Sequence, residues 1–470
     1  MATFILSIVL LILGYFIYGS IVERVFGVDE TKATPAEKLE DGVDYVPMPW
    51  YKIFLIQFLN IAGLGPIFGA IAGALFGPTA FIWIVLGSIF AGAVHDYLSG
   101  MISIRHDGAS ISEIIGDYLG NSARQVMRVF SLILLILVGT VFMTGPAQLL
   151  SNLTSLSTNV WLIIIIAYYF LATILPVDKI IGRLYPLFGA SLIIMALGVG
   201  GGLIFGDYQI PNLVLKNLHP GGLSIWPMLF VTIACGAISG FHATQSPMMA
   251  RCTTNEKYGR RIFYGSMIAE GIVALIWAAA AMTFFGGVEG LQAALGNGGP
   301  ANVVNEITGS MMGVVGGVLA MLGVIALPIS SGDTAFRSAR LQLADMLNIG
   351  QKSSGSRLKI ATPLFIVGVI LSQMDFSVIW RYFAWSNQTL AMMALWAGAA
   401  YLLQHGRFHW IASIPATFMT AVSISYIIVA PEGFQQSLTL GTTVGIITAV
   451  GALALFLIKQ KKKDDLSIGM

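Results

Sequence analysis

The chain has 470 residues, a formal net charge of +2, 56% hydrophobic residues and only 10% charged ones. Soluble domains carry about 25% charged residues, so a mainly water-facing surface is excluded, and near-neutral charge excludes a nucleic-acid partner. The two cysteines, Cys235 and Cys252, form no disulfide framework and lack metal-ligand spacing. No cofactor is expected.

A membrane span needs about 20 apolar residues, each adding ~1.5 Å across ~30 Å of hydrocarbon. Spans are predicted near 3–23, 53–77, 79–104, 126–147, 159–176, 184–206, 225–247, 262–286, 311–330, 360–379, 381–403, 408–430 and 437–458, about 13 in all. The first is uncharged up to Glu23 and Arg24 and lacks a basic start or small-residue cleavage site, so it reads as a retained helix. Gln373 and Asp375 interrupt the span at 360–379.

Lysine and arginine fix the orientation. Every one except Lys216 and Arg381 falls in one alternate set of loops, from Arg24 through Lys179, Arg183 and Lys352 to the tail Lys459, Lys461, Lys462 and Lys463. Cytoplasmic loops hold the excess of positive charge. The expectation is a multi-pass protein of the cytoplasmic membrane with an odd span count, its N-terminus outside and C-terminus inside. The tail lysines read as an anchor at the lipid surface.

Setting aside the first and the last two spans leaves ten, which divide into five and five of opposite orientation, an inverted repeat. The predicted divisions are residues 1–52 (a helix and an acidic loop), 53–206 and 225–403 (the repeats), and 404–470 (two peripheral helices and a tail). Each repeat opens on a glycine- and proline-broken span: Ile61-Ala-Gly-Leu-Gly-Pro66 and Ile233-Ala-Cys-Gly-Ala-Ile-Ser-Gly-Phe-His-Ala-Thr-Gln-Ser-Pro247. Paired breaks point to a solute site, because freed backbone groups must be satisfied. Gly65, Gly69 and Gly73, four apart, also suit close helix packing. The expected fold is an all-α, LeuT-like five-plus-five bundle with peripheral helices, by analogy of pattern.

Several contiguous stretches carry a family likeness: Asp41-Gly-Val-Asp-Tyr-Val-Pro47, Ala91-Gly-Ala-Val-His-Asp96, Arg105-His-Asp-Gly108, Gly236-Ala-Ile-Ser-Gly-Phe-His242, Ser330-Ser-Gly-Asp-Thr-Ala-Phe-Arg337 and Trp380-Arg-Tyr-Phe-Ala-Trp-Ser-Asn-Gln-Thr-Leu390. With the Ile61–Pro66 stretch, they run over most of the chain, which resembles the compact branch of the carbon starvation (CstA) family of membrane transporters. The resemblance implies uptake of pyruvate or peptides, with proton coupling.

Charged groups in mid-membrane are costly, about 2.5–3.5 kcal/mol each on insertion scales. His95 and Asp96 read either as a proton relay or as a structural pair. The candidate solute site comprises Gly63, Gly65, Pro66, Ser239, Gly240, Phe241, His242, Gln245, Ser246, Trp385, Asn387 and Gln388. His242 can also be a satisfied interior histidine, and Asn387 and Gln388 can bond between helices. Ser330, Ser331, Asp333 and Thr334 join His95 and Asp96 as candidates for the coupling proton or sodium ion. The alternative there is a helix stop at Gly332 and a cap by Asp333 for a segment reaching Leu347.

Glu270 stands alone in its span and should face the bundle. Arg381 either attracts anions or snorkels beside the belt residues Trp380 and Trp385. The loop 24–52 reads as a folded cap or gate. No P-loop, nucleophile elbow or zinc-protease motif is present, and His405 and His409 lack a third ligand. The expected function is secondary active transport by alternating access, importing a small organic solute and not catalysing a reaction. A channel and a starvation sensor are the alternatives; substrate, coupling ion and oligomeric state stay open.

Overall fold

The computed structural model describes residues 1–42, 44–174, 178–351 and 353–468, apart from the side chains of 178–186, 321, 345 and 459–468. Lys352 and the side chains of Lys179, Arg183 and the tail lysines therefore lie outside the described residues.

Apolar runs without internal capping signals give long helices. In chain order these are α1 (Ala2–Phe26), α2 (Trp50–Ile61), α3 (Gly65–Phe76), α4 (Thr79–Arg105), α5 (Ile111–Leu119), α6 (Asn121–Leu153), α7 (Thr158–Ile174), α8 (Asp178–Phe205), α9 (Gly240–Ala250), α10 (Glu256–Phe284), α11 (Val288–Gly296), α12 (Gly299–Ala320), α13 (Leu327–Met346), α14 (Ser354–Ser372), α15 (Phe376–Gln404), α16 (Trp410–Val429) and α17 (Leu438–Ile468). Among the described residues there is no strand, only one isolated bridge between Met48 and Thr253.

Among the described residues, nine helices are long and apolar enough to cross a membrane, and the pair α2–α3, bent by 47°, makes a tenth. The chain is a multi-pass membrane protein. Burial ranks the helices. The apolar windows of α4 and α10 are 83% and 78% buried, against 28% for α1 and 17% for Leu438–Ile458. The centre is thus built around α4 and α10, and the two terminal helices lie at the rim.

The structure corrects two expected boundaries. The span placed at 311–330 does not stop at Gly332. Its helix turns at Gly313 (φ +58°) and then stays helical to Met346. Asp333 is not a cap; it pairs one turn on with Arg337 at 3.0 Å, a helical i,i+4 contact. The span placed at 360–379 ends at Ser372. Asp375 caps the following helix, its carboxylate accepting the Ser377 N–H at 2.8 Å.

One end of the bundle carries the basic loops and is held together by Arg105. Its guanidinium makes two 2.9 Å bonds to Glu256 and donates to Tyr401 Oη (2.8 Å) and the Gly27 carbonyl (2.7 Å). Three helix ends and the start of the 24–52 loop therefore share one ion pair, in which Glu256 is buried and Arg105 partly so. The loop itself crosses this end: Met48 N–H bonds the Cys252 carbonyl at 3.1 Å, and Tyr45 Oη bonds the Asp107 carbonyl at 2.9 Å.

Candidate functional site

Two interruptions face each other at the centre. The first spans 62–64, between α2 and α3; the second spans 233–239, between the short segment Phe230–Thr232 and α9. Glycine permits their contact. A Cβ on Gly65 would collide with Cys235, one on Gly73 with the Ile233 side chain, and one on Gly69 would lie 3.1 Å from the Thr232 carbonyl. This glycine row therefore presses α3 against the second interruption.

The two interruptions differ in how their backbone groups are satisfied. In the second, Trp83 Nε1 donates to the Ile233 carbonyl (2.9 Å) and Ser88 Oγ to the Gly236 carbonyl (3.1 Å). Gln388 Nε2 donates to the Phe230 carbonyl (2.8 Å) and Asn387 Oδ1 accepts the Phe241 N–H (2.7 Å). In the first, no hydrogen bond among the described residues reaches the carbonyls of Ala62 or Gly63. The second interruption is tied to protein, and the first keeps free backbone ligands.

Beside them lies a buried ionisable chain. His95 Nδ1 meets Asp96 Oδ1 at 2.7 Å, His242 Nδ1 meets Asp96 Oδ2 at 2.9 Å, and His242 Nε2 stands 3.4 Å from Glu270 Oε2. All four side chains are fully buried. An ionised carboxylate only accepts, so both imidazoles donate to Asp96 through Nδ1. Nε2 of each ring is left outside that contact, and among the described residues neither Nε2 has a hydrogen-bond partner. The chain links α4, α9 and α10, three separate helices. Sequence reasoning put His95 and Asp96 in one group and His242 in another, and it left Glu270 alone. Its isolation in an apolar span was the available signal.

Two cavities approach from opposite ends. The larger, about 1070 Å³, opens at the basic end and is lined by Asn60, Thr244, Ser330, Asp333, Thr334 and Arg128, among others. The smaller, about 720 Å³, is lined by Phe68, His219, Asp375, Trp380 and Arg381, among others. Between them runs a chain of ring contacts, Phe68–Trp380–Phe383–Phe142–Phe241, with centroids 5.4–6.4 Å apart.

The remaining candidates fall as follows. Ser330, Asp333 and Thr334 face the larger cavity, whereas Ser331 is buried with no partner for its hydroxyl among the described residues. Ser330 and Thr334 donate back to helix carbonyls at 2.8 and 3.1 Å. Ser246 Oγ bonds the His242 carbonyl (3.0 Å), Gln245 Nε2 bonds Thr244 (3.0 Å), and Ser239 accepts from Cys235 (3.5 Å). Gly240 abuts the Asn387 carbonyl, where a Cβ would come within 2.5 Å. Gly63 and Pro66 flank the first interruption.

Trp380 and Trp385 are not belt residues. Trp380 is buried at the aromatic divide, and Trp385 Nε1 bonds the Ser423 carbonyl at 3.1 Å. Arg381 is paired with Glu432 at 3.0 Å and is not a free anion attractor. Among the described residues, no group of three or more His, Cys, Asp and Glu side chains could hold a metal ion.

The family model described as "Carbon starvation protein CstA" matches residues 1–147, 143–294 and 289–426. The chain belongs to the carbon starvation protein CstA family. An "Uncharacterized membrane protein" of Haemophilus influenzae is 45% identical over 352 residues, covering 63% of this chain and 95% of that protein. The "Peptide transporter CstA" of Escherichia coli is 24% identical, covering 94% of this chain and 82% of the relative. The "Pyruvate/proton symporter BtsT" of the same organism is 28% identical, covering 54% and 45%. A crystal structure of a manganese transporter variant from Eremococcus coleocola superposes with a TM-score of 0.52 at 14% identity, covering 89% of this chain and 98% of that one. At that identity the likeness speaks for the fold alone. The CstA-family chain thus shares a fold with that protein, and two of the relatives above are named as transporters.

Proposed function

We propose that the chain is a secondary active transporter that imports a small organic solute, pyruvate or a short peptide, with protons by alternating access. The observation that carries this reading is the buried chain His95–Asp96–His242–Glu270, one member of which sits on the helix leaving the second interruption. A proton held there changes the charge at the centre of the bundle, and His242 transmits that change to α9. The named pyruvate/proton symporter among the relatives supports proton coupling. The finer architecture belongs to the same proposal: about 13 spans, two inverted repeats at 53–206 and 225–403, the N-terminus outside, and the basic end cytoplasmic.

In this reading the solute sits between the aromatic divide and the larger cavity. Its polar ligands are the free carbonyls of Ala62 and Gly63 together with Asn60 and Thr244. Asn387 and Gln388 hold the second interruption in shape. Rocking of α2 about 62–64 opens the site to the basic end, where the 24–52 loop bears on the gate.

The test is reconstitution in liposomes with labelled pyruvate and labelled dialanine under imposed proton or sodium gradients. Uptake driven by a proton gradient for either solute is expected. Uptake that follows sodium alone, and is lost in Ser331→Ala, would transfer the coupling role to the serine cluster. Passive flux with no gradient dependence would favour a channel.

A further inference from the structure

Gln57 lies near the middle of α2, fully buried, and among the described residues neither its amide nitrogen nor its amide oxygen has a hydrogen-bond partner. A buried amide left unsatisfied carries its full desolvation penalty, which an apolar residue of the same size does not. Both oxygens of Glu270 are in the same condition, and so is His242 Nε2, 3.4 Å from that carboxyl.

Helix register brings these groups to one level. α2 and α10 pack together, and both run away from the basic end, where the Met48–Thr253 bridge precedes them. A Cβ at Gly265 would lie 3.7 Å from the Phe54 ring. Gln57 follows Phe54 by three residues and Glu270 follows Gly265 by five, a height difference of about 3 Å at ~1.5 Å per residue. Phe54, Gln57, Phe58 and Ile61 share one face by their i, i+3, i+4, i+7 spacing. Asn60, one turn beyond Gln57, lines the larger cavity.

We propose that Gln57, Glu270 and His242 Nε2 enclose a site for a proton-carrying water, which passes the coupling proton from Glu270 to the larger cavity past Asn60. The inference rests on the proton-coupled reading above. The proton leaving the Glu270 carboxyl adds to this water, the hydronium is held by Gln57 Oε1, and one of its protons passes to water in the cavity. Net, one proton has moved and a carboxylate remains. The titratable groups facing Glu270 are His242 and Cys235 from the second broken span and Asp96, with His95 behind it, from α4. Among the described residues, α1, α2 and α3 bring no charged side chain to this level.

The experiment compares wild type, Gln57→Leu and Gln57→Glu in proteoliposomes, using whichever of labelled pyruvate or dialanine the wild type accumulates. Two fluxes are read: uptake driven by a proton gradient, and solute exchange at equal pH, which needs no net proton movement. For Gln57→Leu, driven uptake should fall about tenfold or more while exchange stays within about twofold, and Gln57→Glu should restore uptake. Equal loss of both fluxes in a monodisperse Gln57→Leu protein, or unchanged driven uptake, would overturn the inference. If Gln57→Leu aggregates, Gln57→Met carries the same comparison. A wild type that ignores the proton gradient defeats the parent reading; a proton-driven wild type matched by Gln57→Leu defeats this site alone.

Discussion

Replacing Asn387 by alanine separates a residue that holds the backbone from one that touches the solute. Asn387 is fully buried, accepts the Phe241 N–H at 2.7 Å and reaches Cys235 Sγ at 3.3 Å. The first N–H groups of a helix have no partner within it, so Asn387→Ala leaves the Phe241 donor buried and unsatisfied. That costs about 1–3 kcal/mol; the thiol contact adds little, because sulfur is a weak acceptor. A change of about 1–3 kcal/mol is roughly a 5- to 150-fold shift in the local opening equilibrium. Hydrogen–deuterium exchange over 236–250 should show protection at the start of α9 falling by that factor. In liposomes the maximal rate should drop with KM within about twofold, since binding itself is untouched. Unchanged protection together with a raised KM would refute the reasoning and make Asn387 a solute ligand.

Other outcomes follow from the same geometry. His242→Ala cuts the link between Asp96 and Glu270, so proton-driven uptake should fall about tenfold or more in protein that still elutes as a single species. Gly73→Ala should destabilise by about 1–3 kcal/mol through overpacking against Ile233, and Ile233→Ala in the same chain should recover much of the loss in a thermal melt. Glu256→Gln should lower the melting temperature by leaving the partly buried Arg105 uncompensated, whereas Arg105→Met with Glu256→Leu should lower it less. At Asp375, outside the spans, hydrogen bonds from Ser377 hold the carboxyl below the ordinary carboxylate range. The folded value is depressed, so this contribution is present above the unfolded value and is lost as pH falls through the lowered one. Asp375→Asn should flatten that acid limb of the melting profile.

Much of the architecture was legible in the chain. Apolar length gave the helices, and Gly63, Gly65 and Pro66 marked the first interruption and Gly236 and Gly240 the second, whereas Pro247 stays inside α9. Local readings failed where a nearby residue overrode them. Gly332 stays within a helix, its bare backbone leaving room for the Tyr169 hydroxyl, and Asp333 finds Arg337 rather than a helix end. Trp380 and Trp385 look like interface residues in sequence, yet Trp380 is buried against the Phe68 and Phe383 rings and Trp385 donates to the Ser423 carbonyl.

Composition and charge placement by themselves determined that the chain lives in a membrane, because hydrocarbon solvation acts on each segment alone. They could not decide which polar residues meet. Asp96, His242 and Glu270 lie on three different helices, and their proximity depends on crossing positions set by the glycine row and by α10 packing against α4. The same holds for the contrast between the interruptions: Trp83, Ser88, Asn387 and Gln388 arrive from distant parts of the chain to close the second and leave the first open. Nearest-neighbour chemistry is written along the sequence, whereas contacts between helices are created only when the bundle assembles.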